Sequence, residues 1–299
     1  IVKENRTYDQ ILGDLERGDG DPDLSLFPES ITPNHHALAR NFVTLDRFFD
    51  SGGVSGDGWN WTTAARTSDY TEKTVPVNYG GRGLTYDWEG PNRNINVGLA
   101  TLAERIGANP YTPPDPDLLP GTADVAEPEG REGEEDAVYL WDAALAAGLR
   151  VRNYGFFGDG VRYSLPSTDP AYIPISRHPF ADGIVQFIPA KAALRDVSDP
   201  YFRGYDQNNA DFWLVEEWAR EYDAAVAAGT VPELTLLRLP HDHFGSFGTA
   251  IDGVNTPDSQ MADNDYAIGR VVERIARSPV GDRTLVFIVE DDAQNGGDH

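Results

Sequence analysis

Two short apolar runs at opposite ends of this chain lead directly into oxygen-bearing side chains. Ile1-Val2-Lys3 is followed by Glu4-Asn5, and Leu285-Val286-Phe287-Ile288-Val289 is followed by Glu290-Asp291-Asp292. Open α/β sheets receive their ligands at the carboxyl ends of their strands, so both runs read as strands that deliver acids to one sheet edge. If the two strands lie side by side, Glu4, Asn5, Asp291 and Asp292 converge. Such a group repels itself unless something positive sits within it, which predicts a metal site made of oxygen ligands.

The rest of the chain alternates strand and helix, the pattern of an α/β fold with a largely parallel sheet. Strands are expected over Ile1 to Glu4, Val43 to Phe49, Leu149 to Tyr154, Leu234 to Leu239 and Thr284 to Val289. Helices are expected from Thr32-Pro33 onward, where Thr32 can cap and Pro33 suits the first turn, and over Ser55 to Tyr70, Ala137 to Ala147, Asp211 to Ala227 and Pro257 to Ser278. In the last of these, Ala262, Tyr266, Gly269, Val272 and Ile275 recur at helical spacing and read as its packing face. Two stretches interrupt the alternation, at 74–135 and 155–209, and loops of this length are usually functional insertions or lids. The run from Glu127 to Asp136 reads as a solvated acidic linker. All of 1–299 is taken as one domain, and the chain looks like a piece of a longer protein at both ends.

Charge excludes some partners. With 49 acidic against 24 basic residues the formal charge is −25, which repels nucleic-acid phosphates over most of the surface. An anionic substrate therefore needs a local cation. The chain has no cysteine, so metal ligands must come from His, carboxylate, amide or hydroxyl groups. No apolar run is long enough for a transmembrane segment, and no signal peptide is visible.

Four segments can carry chemistry. Glu4-Asn5-Arg6-Thr7-Tyr8-Asp9 ends the first strand with a carboxylate and an amide oxygen. Asp50-Ser51-Gly52-Gly53-Val54-Ser55-Gly56-Asp57-Gly58-Trp59-Asn60 joins an expected strand to a helix. There Ser55 stands at a helix N-terminus, whose free amides and dipole favour an anion, and a cation would favour its alkoxide; Ser51 is the rival nucleophile. Leu239-Pro240-His241-Asp242-His243 follows another apolar run, and two His flanking an Asp can bind metal, orient phosphate or supply acid and base near neutral pH. Glu290-Asp291-Asp292 continues to Asp298-His299, a further base or ligand with its orienting carboxylate. His35-His36, just inside a helix start, reads as mainly structural, and His178 is a lid candidate.

These motifs, in this order, resemble the bacterial phosphoesterase family that contains phosphatidylcholine-type phospholipases C and an acid phosphatase, within the alkaline phosphatase superfamily. The resemblance is closest to its alkaline-phosphatase-like subgroup often fused to a β-propeller of the YncE type. It rests on Glu4 to Asp9, Ser55, the His241-Asp242-His243 group, and Asp291-Asp292 with Asp298-His299. It implies a three-layer α/β sandwich with a mainly parallel central sheet and one divalent metal held by Glu4, Asn5, Ser55, Asp291 and Asp292. Ca, Mg or Mn suits these oxygens better than Zn. It also implies catalytic roles for Ser55, His241, Asp242, His243 and His299, and an extracytoplasmic location. Gly58 and Trp59 depart from the pattern, since some members carry Asn and then His or Arg at those positions. The resulting expectation is a metal-dependent phosphoester hydrolase working through a phosphoserine, with a phosphorylated small molecule or phospholipid headgroup as partner. The alternatives are a phospholipase C or other diesterase, favoured if Trp88, Tyr154, Phe156, Phe157 and Tyr163 line an apolar pocket, and a catalytically silent metal-binding module.

Overall fold

Backbone pairing brings the two ends of the chain together. In this computed structural model, which describes residues 1–67, 103, 107, 139–158, 160–189 and 191–293, strand β1 (Val2–Lys3) runs parallel to β4 (Val289–Glu290), with Val2 opposite Val289 and Lys3 opposite Glu290. A second parallel pair joins β2 (Val151–Tyr154) to β3 (Leu234–Leu237). A parallel bridge between Val2 and Arg238 links the two pairs. The protein is thus mixed α/β with short parallel sheets.

Seven α-helices accompany these strands among the described residues: α1 (Tyr8–Leu12), α2 (Pro33–Asn41), α3 (Ser55–Ala64), α4 (Leu140–Ala146), α5 (Pro179–Asp182), α6 (Asp211–Ala228) and α7 (Pro257–Ala276). The start of α7 carries Thr256 as cap, accepting from the Ser259 amide, and Pro257 in the first turn, both of which satisfy or remove donors that the first turn leaves unpaired. Gly229 ends α6 at φ 67°, a conformation that side chains with a Cβ resist.

Alternation along β3 sends neighbouring side chains into different cores. Leu237 joins Leu214, Val215 and Trp218 of α6 and Ala267, Ile268 and Val271 of α7. Leu236 instead joins Trp59 of α3, Trp141 and Ala144 of α4, Val2 and Val151. Helices therefore cover both faces of β3, and truncating either leucine to Ala should cost about 2–5 kcal/mol. None of the described helices is long and apolar enough to cross a membrane.

Several expectations change. Val43 to Phe49 forms no strand; Val43, Leu45, Phe48 and Phe49 are exposed, because apolar content supports a strand only where a neighbour takes its backbone groups. The last strand shortens to Val289–Glu290, although the Val289 amide still bonds to Ile1 O at 3.1 Å. On α7 the buried face is Gln260, Met261, Asn264, Asp265, Ala267, Ile268 and Val271, while Ala262 and Tyr266 are exposed. The face is rotated because polar residues of α7 are buried to cap other helices, as described below. Phe156 and Phe157 of the 155–209 insertion pack against Trp59, and Phe157 also against Tyr139 and Trp141, so these aromatics are core rather than pocket wall. Apart from residues 103 and 107, the 74–135 insertion lies outside the described residues, as do Trp88, Asp298 and His299.

Candidate functional site

Parallel pairing of β1 with β4 carries the chain past both strand ends into one buried polar group. Glu4, Asn5, Asp291 and Asp292 are all 2% exposed or less. Ser55, the first residue of α3, joins them from the middle of the chain. Asn5 Nδ2 donates to Ser55 Oγ at 2.9 Å and to Asp292 Oδ2 at 2.8 Å, and Ser55 Oγ donates to the same Asp292 oxygen at 2.9 Å. The hydroxyl is therefore fixed between a donor and an acceptor. The rival Ser51 is exposed.

The glycines of the Ser55 turn answer to the same assembly. A Cβ on Gly58 would collide with the Asp291 carbonyl, and one on Gly52 would lie 3.0 Å from that oxygen. Glycine at position 58 thus has a local cause: α3 packs its first turn directly on the Asp291 backbone. Asp57 folds back to accept from the Gly53 and Val54 amides at 3.0 and 3.1 Å, which anchors the turn without competing for the Ser55 hydroxyl.

Electrostatics mark the group as short of positive charge. Both Asp291 carboxylate oxygens are buried with no hydrogen-bond partner; Ser55 lies close enough to favour the ionised form but gives its proton to Asp292. Burial, then the charges of Glu4 and Asp292, push the Asp291 carboxyl well above its usual range. Burial also pushes Glu4 up to about 7, against the pull of Arg238. Arg238 Nε donates to Glu4 Oε1 at 2.6 Å, and Nη2 donates to the same oxygen, so one Glu4 oxygen is already engaged by a cation. Its guanidinium lies 4.3 Å from the Trp59 ring centre, a second contact that favours the charge. Asp50 is raised to about 6 by burial and by Asp292.

An all-oxygen set with one carboxylate unsatisfied at both oxygens fits a hard divalent cation. Ser55, Asp291 and Asp292 offer oxygens to it, and Asn5 would join them with its amide turned over, since here Nδ2 rather than Oδ1 faces Ser55 and Asp292. Glu4 sits at the edge of the set, shared with Arg238.

The His241-Asp242-His243 segment divides among three environments. His241 is fully buried; Nδ1 meets Asp263 Oδ2 at 2.6 Å and Nε2 meets the Gln207 carbonyl at 3.2 Å. Both partners accept, so both ring nitrogens donate and the ring is an imidazolium. Burial works against that charge, but Asp263 and Asp211 outweigh it and raise His241 to about 9. Asp242 Oδ1 accepts from the Glu4 amide at 3.1 Å, and Oδ2 lies 3.0 Å from the Lys3 ammonium. His243 is half-buried, with Nδ1 2.6 Å from Gln207 Nε2. The same nitrogen lies 3.2 Å from the Phe244 carbonyl, so it faces both an amide donor and a carbonyl acceptor.

Asp211, His241 and Asp263 have ligand atoms within 4.8 Å of one another, the one such group of three His or acidic residues among the described residues. It could receive a metal whose identity the geometry does not fix. Asp263 also accepts from the amides of Asp211 and Phe212 at 2.7 and 3.3 Å, serving the start of α6, whose preceding Ala210 has no capping side chain. Asp265 does the same for α2, accepting from the Asn34 and His35 amides at 3.0 and 2.8 Å. Thr32, expected as that cap, gives its hydroxyl to Phe27 O at 2.8 Å instead.

The remaining histidines separate. His36 is held between Asp14 at 2.8 Å and the Thr32 carbonyl at 2.9 Å, a structural role as expected. His35 is held through Nδ1 by Asp265 at 2.6 Å, while its Nε2 is buried without a partner. His178 is exposed and stacks edge-on with Trp213, so it lines nothing. Sequence reasoning missed Lys3, Arg238, Gln207, Asp211, Asp263 and Asp265. The available signals were a lone cation inside each of two apolar strands and three consecutive polar residues, Asp263 to Asp265, on an otherwise amphipathic helix. Comparison with protein-family models, curated proteins and solved structures finds no match for this chain.

Proposed function

We propose that this protein is a metal-dependent phosphoester hydrolase that uses Ser55 as nucleophile. The observation that carries the reading is the Asn5–Ser55–Asp292 hydrogen-bond triad, which fixes the serine hydroxyl beside an undercompensated Asp291. A divalent ion bound by Asn5, Ser55, Asp291 and Asp292 would offset their charge and favour the Ser55 alkoxide. The chain's own groups account for the other requirements. Asp292 accepts the Ser55 proton, and Asn5 orients the oxygen so that its lone pair is available to phosphorus. Amides of the first turn of the ten-residue helix α3 favour the negative charge of a phosphoryl group. His243, half-buried and held at Nδ1 beside Gln207, is the histidine assigned to protonate the leaving alcohol; His241, with both nitrogens engaged in the interior, serves to hold Asp263 and Gln207. Gln207 contacts both histidines and positions His243.

The coverage of β3 by helices on both faces supports the three-layer sandwich as the architecture of this hydrolase. With Phe156 and Phe157 in the core, the site has no apolar wall from these residues, which supports a small phosphomonoester over a lipid diester.

The test is hydrolysis of p-nitrophenyl phosphate and its choline diester in Mn²⁺, with acid quenching to trap phosphoserine. The parent should cleave the monoester faster and label Ser55. Ser55→Ala should lose at least about 10³-fold in kcat with its fold intact. Equal rates in parent and variant would overturn the mechanism, and a faster diester reaction would move the substrate to the phosphodiester class.

A further inference from the structure

We infer that Arg238 receives the phosphoryl group, presenting Nη1 to the dianion of a phosphomonoester between the Ser55 centre and His243. The inference rests on the proposed hydrolase centre and names the group that selects its substrate. Charge sets the requirement. Glu4, Asp291 and Asp292 are buried together, and one divalent ion does not offset three ionised carboxylates, so a phosphoryl dianion still needs a cation of the protein's own. Register puts Arg238 on the right side of the sheet. It directly follows β3, at the carboxyl end where open sheets receive ligands, and bridges to Val2. Residues two apart on a strand share a face. Leu236, two before Arg238, and Val2, two before Glu4, both pack with Trp59 of α3. Arg238 and Glu4 therefore share the face that α3 covers, which is the face of Ser55. Lys3 turns to the other face, where its ammonium is engaged 2.6 Å from Glu290 Oε1 and 3.0 Å from Asp242 Oδ2.

The guanidinium is held firmly and used only in part. Nε and Nη2 both donate to the single oxygen Glu4 Oε1. Its central carbon lies 4.3 Å from the Trp59 ring centre and 4.7 Å from that of Tyr205, two aromatic contacts that fix the plane of the group. Among the described residues Nη1 donates to nothing, and it is not an enclosed atom; the side chain is 12% exposed. Tyr205 carries the arrangement on to the proposed acid, its ring edge-on to His243 with centres 5.4 Å apart. Glu4 thus ties the guanidinium to the metal side of the centre, and Tyr205 ties it to the leaving-group side. A planar donor in that place meets the equatorial oxygens, over which charge is spread in phosphoryl transfer. A monoester, with one more negative charge than a diester, gains more from it.

Labelling the parent with phenylglyoxal, an arginine reagent, in Mn²⁺ with and without inorganic phosphate tests the inference without turnover. At phosphate about tenfold above its Kd, peptide mass mapping should show Arg238 modified about 10-fold more slowly, while the exposed Arg277 and Arg283 react alike in both. Arg238→Lys keeps a charge beside Glu4 but not the planar fork. By calorimetry it should bind inorganic phosphate at least about 10-fold more weakly than the parent. It should also lose about 10²-fold in kcat/KM on p-nitrophenyl phosphate and less than about 10-fold on the choline diester. Equal labelling of Arg238 with and without phosphate, or unchanged phosphate affinity in Arg238→Lys, would sink the inference. If phosphate protects Arg238 but the parent hydrolyses neither ester, the hydrolase centre fails while the phosphate site stands. If Ser55 is phosphorylated and Arg238 is not protected, the hydrolase stands and the role of Arg238 falls.

Discussion

At the scale of single residues, His241 best separates a structural from a catalytic histidine. Its folded pKa of about 9 lies above the ordinary 6.5, so the stability it contributes is fully present below about pH 6.5 and lost as pH rises through about 9. The upper bound is roughly 3 kcal/mol for a shift of this size. His241→Gln should melt well below the parent at pH 6, and the gap should shrink toward pH 10 when both are followed by circular dichroism. A gap that stays constant with pH would show that the ring is not an imidazolium. Sequence marked His241 correctly as a residue at a strand end, but its partner Asp263 was invisible. A carboxylate on a helix looks the same in sequence whether it meets water or caps another helix 50 residues away.

At the scale of elements, α7 acts as a donor of caps. Asp263 serves the start of α6 and Asp265 the start of α2, so Asp265→Ala should cost about 1–2 kcal/mol in urea unfolding, and Asp263→Ala more, about 3–5 kcal/mol, because it also strips the buried His241 imidazolium of its carboxylate. Substitutions at the exposed Ala262 or Tyr266 should cost less than about 0.5 kcal/mol. Reversal of that ranking would restore the packing face expected from periodicity. The start of α3 makes a second prediction. Gly58→Ala should cost about 1–3 kcal/mol through overpacking against the Asp291 backbone and should weaken Mn²⁺ binding, because Ser55 moves with the helix. Helix extents such as Asp211–Ala228 and Pro257–Ala276 were legible because caps, prolines and glycines are local signals. The Val43 to Phe49 strand was misread because a strand depends on a neighbour that its own sequence does not contain.

At the scale of the whole molecule, charge is concentrated where it is hardest to bear. Burial raises Glu4 to about 7 and Glu290 to about 8, and Asp291 rises as well. For each, the folded pKa exceeds the unfolded value, so the stability it contributes is present below about pH 4 and lost as pH climbs through 7 to 8. The metal-free protein should therefore melt higher at pH 5 than at pH 8, and Mn²⁺ should raise the pH 8 melting temperature more than the pH 5 value. Calorimetric scans in chelator and in Mn²⁺ check this; equal increments at both pH values would remove the carboxylate cluster as their cause. The meeting of the chain's two ends was legible because each end carries its own strand-and-acid pattern. The cations that share this edge, Lys3 and Arg238, were not, because a lone charge in an apolar strand does not announce its partners.

The central claim is that residues from both ends of the chain and from its middle form one divalent-ion centre. Anomalous diffraction at the manganese edge from Mn²⁺-soaked crystals addresses it directly. The account predicts one strong peak among Asn5, Ser55, Asp291 and Asp292. A map with no peak there, or with its only peak among Asp211, His241 and Asp263, would contradict it.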